Sequence, residues 1–404
     1  MPDLPKIILD MSRLLSRVLH VTPTGVDRVE MAYARGLVET AGDRLDFAAV
    51  HPTGIYGRLP ADAVLRFLDR TETRWETEGR VGPWAMRRSA VDVLNLLRPR
   101  PVPSPAPGAP AVYVQSSPHH LTNPKLVQTI LRRENARFVC LVHDLIPLEY
   151  PEYARAGGAE QHRQRIETIL RHAHGIMSNS HATLASLRPW IARLGVDPVC
   201  RVAHLGTHDG HRPVRRANGE DARPYFVSMG TIEPRKNHLL LLNLWRQMSE
   251  RHGAAAIPKL VLIGRRGWEN EQIVDMLERC PALVGCVEEH GGLSDQAARA
   301  LLANANALLM PSFAEGYGMP VAEALDLGVA VVCSNLPSLR EAGGGVPTFL
   351  DPLDGPAWHR AILAYADLQS PEAEAQRERL TTWQRPGWKD HIARLHDLIS
   401  AVSI

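Results

Sequence analysis

The sequence predicts an α/β protein of two doubly wound domains, each a parallel sheet with helices on both faces. Three observations carry that reading. Short apolar runs alternate with longer amphipathic stretches along most of the chain, the pattern of successive βαβ units. The alternation stops at a polar stretch, HDGHRPVRRANGEDARP (208–224), and then restarts. A chain of 404 residues also exceeds what one core usually organises, since domains average about 100–200 residues.

In the first half, 6–10, 45–50, 111–115, 138–142 and 175–178 read as buried strands, with a further strand at 200–205. Helices fit 26–38, 124–133, 160–172 and 181–194 between them. The segment 98–110, RPRPVPSPAPGAP, breaks the rhythm with prolines at 99, 101, 103, 105, 107 and 110. Proline has no N–H to give a helix or a ladder, so this reads as an extended insertion inside the first domain. After the polar break, strands are expected at 225–229, 259–263, 307–310, 329–333 and 347–350, with helices at 237–250, 271–279, 295–304 and 320–327. The last amphipathic stretch, 388–402, reads as a helix packing back on the first domain. The expected boundaries are 1–215 for the N-terminal domain, 222–384 for the C-terminal domain and 385–404 for the returning helix. Ligands in open α/β sheets bind at the carboxyl ends of the strands, so the chemistry is expected in a central cleft that the two sheets face.

Composition removes several classes. With 45% apolar and 22% charged residues the chain is an ordinary globular protein. Lys plus Arg is 46 and Asp plus Glu is 44, a formal net charge of +2, which argues against a nucleic-acid partner. No apolar run approaches the roughly 18 residues of a spanning helix. Asp10 interrupts the first apolar stretch too early for a signal peptide. Five scattered cysteines give neither a disulfide framework nor paired zinc ligands. A cytoplasmic protein is expected. Arg13, Arg17 and Arg28 beside Leu14, Leu15, Val18 and Leu19 would permit peripheral contact with an anionic membrane, or form an ordinary loop and helix.

Four motifs could carry chemistry. Gly230-Thr231-Ile232-Glu233-Pro234-Arg235-Lys236-Asn237 lies between a strand and a helix. Asn237 suits an N-cap, and the helix start with two adjacent cations would hold a diphosphate. Glu315-Gly316-Tyr317-Gly318-Met319-Pro320-Val321-Ala322-Glu323 follows the strand at 307–310. Its glycines allow close backbone approach, Pro320 suits the first helical position, and Glu323 is expected in the first turn, where it could accept two ribose hydroxyls. Glu315 on the loop could meet a sugar. His143, in VHDLIP after a strand, could exchange a proton with a substrate hydroxyl or serve a structural hydrogen bond. Gly25, in PTGVDR, would bring backbone amides near a ligand or simply make a turn. Arg265 and Arg266 in IGRRG reach phosphate or only the surface, and Arg74, Trp75, Trp84, Arg87 and Arg88 could shape an acceptor region. His204 and His208 have metal-like spacing without an evident third ligand. No Asp-x-Asp pair occurs, so no metal is expected, and cationic side chains must neutralise a leaving diphosphate.

GTIEPRKN (230–237), VLIGRRG (261–267), LLMPSFAEGYGMPVAEAL (308–325) and SNLPSLREAGGG (334–345) together resemble the retaining glycosyltransferases of family 4, which have the GT-B fold. The likeness covers the second domain almost throughout; PTGVDRVE, LVHDLIPLEYP and IMSNSHAT extend it more loosely into the first. It implies that Arg235 and Lys236 stabilise the departing nucleoside diphosphate and that Glu323 binds the ribose. It places Glu315 beside the donor sugar, with Gly230, Arg265, Gly316, Tyr317 and Gly318 as donor contacts. His143 corresponds to a donor-sugar or acceptor-site histidine, and Gly25 to the glycine loop near the diphosphate, where many members have two glycines and this chain has one. The resemblance implies metal-independent transfer of a sugar, with GDP-mannose the first choice of donor, to a glycan or lipid-linked oligosaccharide of a bacterial surface polysaccharide such as lipopolysaccharide. The competing expectation is a non-catalytic nucleotide-sugar-binding scaffold, which should have lost one of Arg235, Lys236, Glu315 and Glu323; all four are present.

Overall fold

The computed structural model describes residues 4–51, 54–78, 93, 95–102, 111–207 and 223–403. The linker at 208–222, the proline-rich stretch 103–110, and Trp84, Arg87, Arg88 and His208 lie outside the described residues. The chain divides into two compact units: residues 1–149, 156–206 and 387–404 form unit 1, and residues 150–155 and 207–386 form unit 2.

Unit 1 is built on seven strands: β1 (Ile7–Asp10), β2 (Leu45–Val50), β3 (Tyr56–Leu59), β4 (Ala111–Gln115), β5 (Ala136–Val142), β6 (Gly175–Ser178) and β7 (Val199–Val202). Their order is β3-β2-β1-β4-β5-β6-β7, parallel except for the β2–β3 pair. Ile7, Ile8, Leu9, Val112, Val114, Phe138 and Ile176 are buried, as strands covered on both faces require. The covering helices include α1 (Ser12–Ser16), α2 (Gly25–Ala41), α3 (Ala61–Thr73), α4 (Pro124–Glu134), α5 (Ile146–Glu149), α6 (Gly158–His172) and α7 (His181–Leu194). The end of α7 follows from Gly195, whose φ of 64° closes the helix in a conformation few other residues adopt.

Unit 2 contains β8 (Tyr225–Met229), β9 (Lys259–Ile263), β10 (Val287–His290), β11 (Ala307–Met310), β12 (Ala330–Ser334) and β13 (Thr348–Leu350). All pair in parallel, in the order β10-β9-β8-β11-β12-β13. Around them lie α8 (His238–His252), α9 (Glu271–Arg279), α10 (Asp295–Ala303), α11 (Met319–Asp326), α12 (Pro337–Gly343), α13 (Gly355–Ala366) and α14 (Pro371–Leu380). Trp245 and Trp358, both fully buried, anchor the core, and Trp245 donates its indole N–H to the Pro258 carbonyl at 2.8 Å. In each unit the strand order reverses direction once, between β1 and β4 in unit 1 and between β8 and β11 in unit 2. Those switch points open the crevices where doubly wound folds take ligands.

The final helix, α15 (Trp388–Ser403), belongs to unit 1. Leu395, Leu398, Ile399 and Val402 are buried, and His391 bridges the Tyr33 hydroxyl at 2.8 Å and the His204 carbonyl at 3.0 Å.

The structure adds what the apolar pattern does not show. The edge strands β3 (YGRL) and β10 (VEEH) are too polar to read as buried runs, and α3, α13 and α14 also lie outside the expected elements. The proline-rich insertion is hooked to the sheet at its start, because Arg58 and Arg100 exchange both backbone hydrogen bonds, at 3.0 and 2.7 Å. The strand expected at 200–205 runs Val199–Val202. In the basic-apolar stretch near the N-terminus Leu14, Leu15 and Val18 are buried and Arg13 and Arg17 are tied to Asp27 at 2.7 and 2.8 Å, while Leu19 is exposed. Among the described residues no helix is long and apolar enough to cross a membrane.

Candidate functional site

In unit 2 the loops after β8 and β11 meet at the switch point. Gly230 leaves β8 with φ 139°, and a side chain there would press on Lys236. Its carbonyl also lies where a Cβ on Gly264 would stand, 1.7 Å away, so the ends of β8 and β9 approach closely only because residue 264 is glycine. A single 3-10 turn, Pro234–Lys236, then presents both cations. The Arg235 carbonyl accepts the Phe313 N–H at 2.8 Å, which locks this turn to the loop after β11.

The side chains close the same junction. Arg235 Nη1 donates to Glu315 Oε2 and to the Ala314 carbonyl, each at 2.9 Å, while Lys236 Nζ donates to Glu315 Oε1 at 2.6 Å. Glu233 takes Arg235 Nη2 at 2.6 Å. Two buried carboxylates thus neutralise two largely buried cations. Burial pushes the Glu315 carboxyl up, but Arg235 and Lys236 outweigh it and hold the acid at about 2. Glu233 was not singled out from the sequence; its signal is its place two residues before Arg235, where an extended N-cap backbone turns its carboxylate back on the guanidinium.

Three expectations are corrected in position. Asn237 precedes α8 in the left-handed conformation, φ 54°, and makes no side-chain cap; its Nδ2 donates to the Pro352 carbonyl at 3.0 Å instead. Gly318, at φ 108°, is the N-cap of α11, so Met319 opens the helix and Pro320 stands second. Glu323 consequently lies in the second turn, not the first. Arg266 is engaged by Glu289 and Glu278, which assigns it to a surface ion-pair network, while the carbonyl of half-buried Arg265 accepts the Ile232 N–H at 2.9 Å. Tyr317 is buried at the loop between Glu315 and α11, with Gly316 half-buried before it.

His143 and Gly25 belong to unit 1. Gly25 is the first residue of α2, capped by the Thr24 hydroxyl and by the Asp27 carboxylate, which accepts the Thr24 N–H at 2.7 Å. His143 follows β5 and donates Nε2–H to the Ser116 carbonyl at 2.7 Å. Burial lowers its pKa, so the ring is neutral and Nδ1 carries the lone pair. Its own carbonyl accepts from Asn179 Nδ2 at 2.8 Å. Arg74 donates to the Val18 carbonyl at 3.2 Å, and Trp75 is buried.

Comparison with known proteins gives the class. Residues 212–343 match the family profile Glycosyl transferases group 1. Across the whole chain the fold superposes on sucrose-phosphate synthase from Thermosynechococcus elongatus with a TM-score of 0.66, at 16% identity over 98% of this chain and 99% of that one. Anabaena HepE in complex with UDP superposes with a TM-score of 0.60, at 16% identity over 97% and 99%. The architecture is GT-B. In sequence, the chain is homologous to two Escherichia coli proteins. It is 26% identical over 244 residues to the serotype-specific mannosyltransferase WbdA, covering 55% of this chain and 29% of WbdA. It is 37% identical over 157 residues to O-antigen chain mannosyltransferase B, covering 39% of each. The chain thus spans less than a third of WbdA and well under half of mannosyltransferase B.

Proposed function

We propose that the protein is a glycosyltransferase that moves mannose from GDP-mannose to a glycan or lipid-linked acceptor in surface-polysaccharide synthesis, with retention of configuration and without a metal. The observation that carries the reading is the cationic pair Arg235 and Lys236, fixed by Glu315 and Glu233 at the switch point of unit 2. Cleaving the anomeric bond develops negative charge on the departing β-phosphate, and preorganised cations are the means of stabilising it. A diphosphate entering here competes with Glu315 for both cations, leaving that carboxylate beside the donor sugar. Attack by the acceptor hydroxyl on the face the diphosphate leaves, with the phosphate taking the proton, gives retention without a covalent nucleophile. The mannosyltransferase names of the relatives support the choice of sugar, and work at the cytoplasmic side of the inner membrane fits acceptors of this kind.

The test is thermal stabilisation of the full chain by GDP, UDP, dTDP and ADP. A nucleotide at a hundred times its dissociation constant should stabilise the native state by about 2.7 kcal/mol. GDP alone is expected to act, UDP alone would replace the donor, and a flat panel would remove the donor site proposed at the unit 2 switch point. EDTA should leave turnover unchanged; its loss would show a metal requirement.

A further inference from the structure

We infer that Asp326 and Arg385 are positioning residues for donor binding. Their ion pair holds the last turn of α11, and with it Glu323, to two of the chain's passages between the units, at 206–207 and 386–387. The inference rests on the donor reading of Glu323 and goes beyond it, by assigning the groups that keep that carboxylate in place.

α11 is eight residues long, and Gly318 gives its start no side-chain cap. A helix of two turns keeps its place through what it packs against and not through its own propensity. Asp326, its final residue, is 7% exposed. A carboxylate there meets the negative end of the helix dipole and has lost most of its water, two costs that helix stability alone would avoid. Arg385 offsets both, with Nε 3.3 Å from Asp326 Oδ1.

The same Nε donates to Thr207 Oγ1 at 2.5 Å, on a residue that is itself buried. Thr207 in turn donates its N–H to the Pro386 carbonyl at 3.2 Å. Thr207 is the first residue of unit 2 after one passage, and Pro386 is the last before the other. Arg385 therefore ties the end of α11 to both passages at once.

Glu323 stands three residues before Asp326, so the two carboxylates are neighbours on one side of the helix. The Glu323 carbonyl accepts the Leu327 N–H at 3.2 Å, which builds that residue into the same last turn. What Arg385 fixes at Asp326 it thus fixes at Glu323. It also neutralises a charge that would repel the Glu323 carboxylate from one turn away.

GDP and 2′,3′-dideoxy-GDP, which lacks both ribose hydroxyls, separate positioning from a general loosening of unit 2. Their affinities can be measured by calorimetric titration of the full chain. Wild type should bind GDP at least about tenfold more tightly than the dideoxy nucleotide, the value of hydrogen bonds to a charged group. Arg385→Ala should weaken GDP about five- to tenfold, most of that difference, and leave the dideoxy nucleotide unchanged. Arg385→Lys keeps the charge without the planar head and should fall between. It carries the same comparison if Arg385→Ala does not fold. An unchanged GDP affinity, or an equal loss for both nucleotides, would overturn the inference while leaving the donor site standing. A wild type that binds neither nucleotide, or both equally, would instead overturn the reading of Glu323 beneath it.

Discussion

At the scale of single residues, the unit 2 junction is a balance of two carboxylates and two cations, and each member has its own expected failure. Lys236→Ala removes the charge nearest Glu315 Oε1 and should lose most turnover while the chain stays folded. Glu323→Ala should do the same through the proposed ribose contact; normal turnover in either variant would undo the donor assignment. Glu315 has a pH signature. Its folded pKa of about 2 lies below the ordinary 4.5, so its contribution is complete above pH 4.5 and is lost as pH falls toward 2. The stability gap between wild type and Glu315→Gln should therefore be widest near neutrality and close across that acid window. Glu30 has the opposite sign. Burial first, then the nearby Asp10, raises it to about 8, so the cost of keeping it uncharged grows from pH 4.5 upward and levels off above 8. Glu30→Gln should gain on wild type over that window, by up to a few kcal/mol at about 1.4 per pKa step. A flat difference would place a charge at Glu30 in the native state.

At the scale of elements, loops at strand ends do the positioning, and two are held by features a sequence reading undervalues. Gly318 starts α11 with φ 108°, and a Cβ there would stand 2.5 Å from Leu339. Gly318→Ala should cost about 1–3 kcal/mol in denaturant unfolding. It should also displace Glu323, since the helix carrying it begins at that glycine. Asp27 joins the turn before α2 to α1, capping Thr24 and pairing with Arg13 and Arg17. The motif PTGVDR is legible as a turn, but the two arginine partners of its Asp27 lie 14 and 10 residues earlier, in the basic-apolar stretch. The apolar pattern located most of the parallel strands because they are buried on both faces. It missed β3 because a buried YGRL of four residues carries a glycine and an arginine in place of an apolar run, and β10 because its VEEH residues are all half-exposed.

For the whole molecule, the last helix matters most. Residues 387–404 are the chain's end yet part of unit 1, and they bury Leu395, Leu398 and Ile399. Gly36 and Gly175 are small where they meet it: a Cβ at either would come within 3 Å of Ile392 or Leu398. Deleting 387–404 should abolish the cooperative unfolding of unit 1, read by its loss of amide-exchange protection, while unit 2 keeps its protected core. Retained protection across β5 and β6 would show the helix to be dispensable. Nor does a linear boundary foresee Tyr150–Arg155, which joins unit 2 through the stacking of Tyr153 on Phe313, at 5.8 Å, and the hydrogen bond from Trp268 to the Tyr153 carbonyl.

The sequence by itself determined the class of fold, the two successive sheets, and the loops whose residue types suit a diphosphate and a sugar. Period, proline and glycine act within a few residues of themselves, so they can be read along the chain. Tertiary structure decided the rest: that Glu315 clasps both Arg235 and Lys236, that Glu233 completes the balance, that Arg266 is bound away, and that Ser116, His143 and Asn179 stand in one row. Apart from Glu233, two residues before Arg235, those arrangements join residues 12 to 80 positions apart, most of them at the ends of parallel strands lying side by side. Strand order, which no local pattern encodes, made them neighbours.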